Sequence, residues 1–114
     1  MKDYVFILRH KPLTPELMAL VRPKWALIIP VWREKGHFVD SALMLNEGYV
    51  ISGEERVLSN APINNDGRIV LSYIRIKAES PEQALELSKQ CATLDIGGSV
   101  EVREVQPTPP PVSN

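Results

Sequence analysis

The chain has 114 residues, of which 44% are hydrophobic and 24% charged, and its formal net charge is -1. A chain of this length folds as one domain and buries about 65% of the surface its unfolded form exposes, enough for an ordinary core. The apolar and charged fractions exclude the disordered and membrane-embedded classes, and the near-neutral charge argues against a nucleic-acid binder, which needs clustered Lys and Arg to displace counterions from phosphates.

The charge is unevenly spread. Residues 1–37 carry seven basic side chains (Lys2, Arg9, Lys11, Arg22, Lys24, Arg33 and Lys35) against three acidic ones, and the remainder is net acidic, a distribution that favours an anionic ligand near the first helix. The single cysteine, Cys91, leaves no intramolecular disulfide and no metal-ligand spacing, and reads as a small buried hydrophobe on a helix. Met1-Lys2-Asp3 leads directly into a strand-like run with no long apolar stretch and no cleavage site, so a cytoplasmic setting is expected.

Tyr4-Val5-Phe6-Ile7-Leu8 is apolar at every position, where a strand with one wet face would alternate. Both faces therefore need cover, and in a domain with two helices the second face is most simply covered by another copy of the sheet, giving a homodimer. Thr14-Pro15-Glu16 starts a helix: Thr caps free amides, Pro fits the first turn and Glu suits the positive end of the dipole. Leu17, Leu20, Val21, Trp25, Ile28 and Trp32 follow at helical spacing up to Gly36, while Pro23 and Pro30 predict a bent or broken helix within 15–35. A strand over 37–45 comes next, then a short hairpin between Gly48 and Ser59, then a long strand from Arg68 or Ile69 to Lys77. Ser80-Pro81-Glu82-Gln83 has capping-box spacing and opens a second helix that stops at Gly97-Gly98. Val100-Glu101-Val102-Arg103-Glu104-Val105 alternates as a last strand.

With right-handed crossovers this order predicts an α+β fold, a ferredoxin-like βαββαβ arrangement with an extra short hairpin, whose first strand lies between the long strand and the last. The domain is expected to span 1–105, with 106–114 a Pro-rich extended or disordered tail.

The segment Gly97-Gly98-Ser99-Val100-Glu101-Val102-Arg103-Glu104-Val105 resembles the closing signature of the YCII-related, or DGPF-type, family of small dimeric α/β-barrel proteins. The opening strand ending at Arg9, the Thr14-Pro15-Glu16 start, Arg22-Pro23-Lys24-Trp25 and Ser80-Pro81-Glu82-Gln83-Ala84-Leu85-Glu86 are similar to that family in order and spacing, over most of residues 3–105. The resemblance implies a protomer that dimerises through its sheet and leaves a cleft between sheet and helix. Family members of the YCII type carry a histidine in the first helix and an aspartate near the second strand as an acid/base pair. Here Trp25, which exchanges no proton, occupies the position that aligns best with the histidine. The DGPF turn is represented by Asn65-Asp66-Gly67-Arg68, which keeps the turn-forming Asp-Gly and lacks the Pro-Phe.

The titratable candidates are few. His10 and His37 fall at opposite ends of the sheet in this topology, so one protomer cannot combine them. Arg9 ends an apolar strand beside the Gly97-Gly98 loop, where its planar fork would clamp a carboxylate or phosphate. Asp40 interrupts an apolar strand and needs a partner if it faces inward. Trp25 and Tyr73 are the aromatics expected to line a cleft. Tyr4 and Phe6 also suggest an RNA-binding platform, but the companion basic-aromatic motif is missing from Ile69 to Ile76. The resulting expectation is a homodimer that binds a small anionic ligand through Arg9, Trp25, Asp40 and Tyr73, with no cofactor, metal, nucleic acid or membrane. One alternative is a small hydrolase or isomerase with Asp40 or His10 as acid/base. Another is a structural dimerisation module without ligand.

Overall fold

The computed structural model describes residues 1–108. Its elements are β1 (Lys2–His10), α1 (Pro15–Glu34), β2 (Phe38–Leu43), β3 (Val50–Ser52), β4 (Val57–Ser59), β5 (Ile69–Ala78), α2 (Pro81–Ser88), a 3-10 turn (Ala92–Ile96) and β6 (Ser99–Glu104). β2, β5, β1 and β6 form, in that order, a four-stranded antiparallel sheet, and β3 and β4 form a separate hairpin. The first strand is thus interior, flanked by the long strand and the last, as its apolar run requires. The sheet is open, and the described residues form no closed barrel. Of the expected proline-rich tail, 106–108 adopt neither helix nor strand, and 109–114 lie outside the described residues.

One face of the sheet carries the core. Tyr4, Phe6 and Leu8 of β1, Ile74, Ile76 and Ala78 of β5, Trp32 of α1, and Ala84 and Leu87 of α2 bury against one another, with Trp25, Ile28 and Ile29 packed at the margin. Trp32 anchors α1. Its ring meets Phe6 and Trp25 edge-on at centroid distances of 6.1 and 6.2 Å, and its Nε1–H donates to Gln90 Oε1 at 3.0 Å, so a large apolar surface is buried with its one polar atom satisfied. The expected apolar stripe is narrower than its spacing suggests, because Leu20 is 60% exposed.

α1 is a single helix, bounded by Thr14, whose Oγ1 accepts from Leu17 N at 3.2 Å. It is not broken at Pro23 or Pro30. Both prolines lie on the exposed side, seven residues apart, and so do Ala19 and Ala26, whose carbonyls lose their helical donors, so the cost is that of an open carbonyl at the surface and not of a buried one.

The second helix is shorter than expected. α2 ends at Ser88, whose Oγ donates back to the Leu85 carbonyl at 2.7 Å, a bond that competes with helix continuation. Cys91 then turns extended (φ -63, ψ 126) and a 3-10 turn runs to Gly97, which takes the left-handed cap at φ 77. The break folds Cys91, Ala92 and Thr93 into the core at 2% exposure or less. Gly98 has to be glycine for a different reason: a Cβ there would stand 2.5 Å from the Arg9 carbonyl oxygen and 2.8 Å from that of Thr93.

Two bulges decide which residues face the helices. The β1–β5 register slips between Leu8 and Arg9, so that Leu8 faces Ser72 while Arg9 faces Val70. The β2–β5 register slips between Phe38 and Asp40, so that Phe38 faces Ile76 and Asp40 faces Arg75. Each slip moves the residues beyond it to the other side of the sheet.

Candidate functional site

Two adjoining cavities lie between α1 and the helix-bearing face of the sheet. The first, about 180 Å³, is bounded by Leu8, Trp25, Ile29, Ser41, Ile74 and neighbouring sheet residues. The second, about 170 Å³, is bounded by His10, Met18, Val21, Arg22, Trp25 and Thr93. Trp25, Leu43 and Ser72 border both, so the two form one mainly apolar cleft whose second end, the polar end, adds the side chains of His10, Arg22 and Thr93. Met18, Val21, Arg22, Trp25 and Ile29 recur three or four residues apart, which puts them along one side of α1.

The polar end is built around His10. It closes β1, is 5% exposed, and its Nδ1 lies 2.7 Å from the Lys11 carbonyl oxygen. Arg22 shares that cavity, and among the described residues no ion pair engages it. Among the described residues, no carboxylate borders either cavity. A ligand with an anionic group beside Arg22 and an apolar body against Trp25 matches this lining.

The expected site residues divide between the two faces of the sheet. Trp25 borders both cavities and His10 the second, but Arg9, Trp25 and Asp40 do not share one cleft. Arg9 sits on the far face with its Nη1 donating to Glu101 Oε1 at 2.7 Å, and Arg103 donates to the other oxygen of Glu101 at 3.1 Å. These two hydrogen bonds, Arg9 first, hold the Glu101 carboxyl below the usual carboxylate range against a smaller upward push from burial. Asp40 is also on the far face, paired through Oδ2 with Arg75 at 3.3 Å, while its Oδ1 is buried without a partner. The bulge at Val39 is the cause: strict alternation from Phe38 would turn Asp40 toward the helices. Tyr73 borders the apolar cavity, yet its register opposite Ile7 and Ala42 assigns its side chain to the far face.

His37 is 8% exposed at the opposite end of the sheet from His10. Its Nδ1 lies 2.9 Å from the Lys77 carbonyl oxygen, and its own carbonyl accepts from Lys77 N at 2.7 Å. It locks the start of β2 to the end of β5. Cys91 is buried between α2 and the 3-10 turn rather than within a helix, and burial pushes its thiol up to about 12, a protonated and unreactive state at neutral pH. Tyr4 Oη is buried with no partner among the described residues, and its phenol is raised by burial and further by Glu104 and Glu82.

Sequence reasoning missed Arg22, Ser72 and Thr93 as cleft residues. Arg22 was detectable from its place between Val21 and Trp25 on the helix. Ser72 was detectable too, since it alternates in step with Ile74, Ile76 and Ala78 with no register slip between them; Thr93 was not, because the break after α2 turns it inward. Among the described residues, no three His, Cys, Asp or Glu side chains gather as metal ligands, and no helix is long and apolar enough to cross a membrane. The chain matches no family model and no curated protein.

Proposed function

We propose that this chain is a ferredoxin-like protomer of the YCII-related kind that binds a small molecule with an apolar body and an anionic head in the cleft between α1 and the sheet. The observation that carries the reading is the joined pair of cavities, apolar around Leu8, Ile29 and Ile74 and cationic at Arg22. Each cavity alone is smaller than the usual small-molecule site of about 300 Å³ or more, and joined they reach that range. Trp25 at the shared wall is the contact expected to supply most of the affinity, since a large aromatic contributes area at small entropic cost.

The test is a thermal-shift panel of aryl and alkyl carboxylates and phosphates, read together with tryptophan fluorescence. Binding should raise the melting temperature and quench Trp25. Trp25→Ala should weaken binding by tenfold or more, and Asp40→Asn should leave it unchanged. A panel that moves neither the melting temperature nor the fluorescence overturns the reading.

The strand order supports the ferredoxin-like assignment. We also propose a homodimer through the far face of the sheet. Val5, Ile7, Ala42 and Tyr73 occupy the middle of that face by register, flanked by the Asp40–Arg75 and Arg9–Glu101–Arg103 ion pairs. An apolar centre with a charged rim is the ordinary composition of an interface.

A further inference from the structure

The polar end of the cleft, taken as the binding site proposed above, also has a defined proton chemistry. A carbonyl oxygen can only accept a hydrogen bond, so the 2.7 Å contact with the Lys11 carbonyl requires a proton on His10 Nδ1. Neutral His10 is therefore the tautomer whose Nε2 is bare, and among the described residues no hydrogen bond engages that nitrogen. Nε2 accepts a hydrogen bond when the ring is neutral and donates one when it is protonated.

The charges around the ring decide which state a ligand selects. Arg22 of α1 borders the same cavity. Lys24 of α1 is exposed and paired with Asp95 of the 3-10 turn at 2.9 Å. Lys11, just past the end of β1, is exposed, and Arg9 on β1 is paired with Glu101 on the far face. β5 presents Ile69 and Ser72, with Arg68 exposed just before them, and β2 presents Leu43. The 3-10 turn presents Thr93, and Asn46 of the loop after β2 is tied to the backbone of Leu13. Arg22 is itself exposed, and among the described residues no carboxylate borders this cavity, so an arriving anion would supply the counter-charge to Arg22 and a protonated His10.

We propose that His10 Nε2 and Arg22 form a two-pronged carboxylate site, and that the ligand is bound together with one proton taken from solvent onto Nε2. The Nε2 lone pair becomes an N–H bond that donates to one carboxylate oxygen while the Arg22 guanidinium donates to the other; no bond to the ligand is made or broken. The sign follows from linkage. The bound anion stabilises the imidazolium, so His10 holds its proton more tightly in the complex, and affinity rises as pH falls through the range in which histidines titrate, by up to about tenfold per pH unit. The gain stops once His10 is already protonated in the free protein.

The experiment is calorimetric titration of the full chain with 3-phenylpropionate between about pH 6 and pH 8, where that carboxylate stays ionised, in buffers of differing ionisation heat so that proton uptake is counted. Net uptake approaching one proton, with tighter binding at lower pH, is expected. His10→Gln should bind with flat pH dependence, whereas Arg22→Gln should bind at least tenfold more weakly throughout and keep the slope. Wild-type protein supplies an independent readout by NMR: the His10 ring should titrate at higher pH with ligand than without, while His37 does not move. Binding without proton uptake, or an unmoved His10 titration, overturns this proposal and leaves the cleft reading intact. No binding at all overturns both.

Discussion

Glu101 shows how one side chain on the far face carries a measurable pH signature. Its carboxylate is shared between Arg9 and Arg103, and a carboxyl whose folded pKa is depressed contributes stability above its unfolded value, near pH 4, that is lost as pH falls through the folded one. Because the side chain is 38% exposed, solvent screens the pair and the contribution is modest. Glu101→Gln should therefore be less stable than wild type at neutral pH, and the difference should shrink as pH falls through the folded value of Glu101, measured by urea denaturation from neutral to acid pH. A difference that persists undiminished into acid would show that Glu101 acts through packing instead. Asp40 marks the boundary of such reasoning: its place in an apolar run was legible, but its side of the sheet followed from the bulge one residue earlier.

At the scale of elements, the capping residues of both helices were readable and the helix lengths less so. Thr14 and Ser80 accept from Leu17 and Gln83 as their spacing requires, because a cap is a local interaction. Whether a proline breaks a helix depends on what lies opposite it. Pro23 faces solvent, so its cost is one missing hydrogen bond and a ring clash in an otherwise intact α1. Pro23→Ala restores the donor to the Ala19 carbonyl and should stabilise the fold by about 1 to 3 kcal/mol in urea melts. A less stable variant would mean that the backbone geometry set by Pro23 is needed to seat Trp25 and Trp32. The early end of α2 follows from non-local contacts, since the Trp32–Gln90 hydrogen bond and the burial of Cys91 reward leaving the helix there.

For the whole molecule, the exposed surface bears on assembly. The β3–β4 hairpin pairs only with itself and leaves Tyr49, Ile51, Val57 and Leu58 more than half exposed, and the far sheet face has an apolar centre. Apolar surface of this extent on a small domain is a mark of an interaction site. Sedimentation at micromolar concentration should return twice the 12.8 kDa chain mass, and Ile7→Lys, which puts a charge at the centre of the proposed interface, should return the monomer. A wild-type monomer at every concentration would overturn the dimer.

The sequence by itself determined the order of elements, both helix starts, the hairpin, the Asp66–Gly67 turn and the interior place of β1. These depend on short-range chemistry: caps, glycine freedom, and a strand apolar on both sides. Tertiary structure alone decided the composition of the cleft. A slip of one residue at Val39 turns Asp40 away from α1, and the break after α2 turns Thr93 toward the cleft. A bulge is set by how two strands share hydrogen bonds and a third element packs across them, and no local run of residues records it.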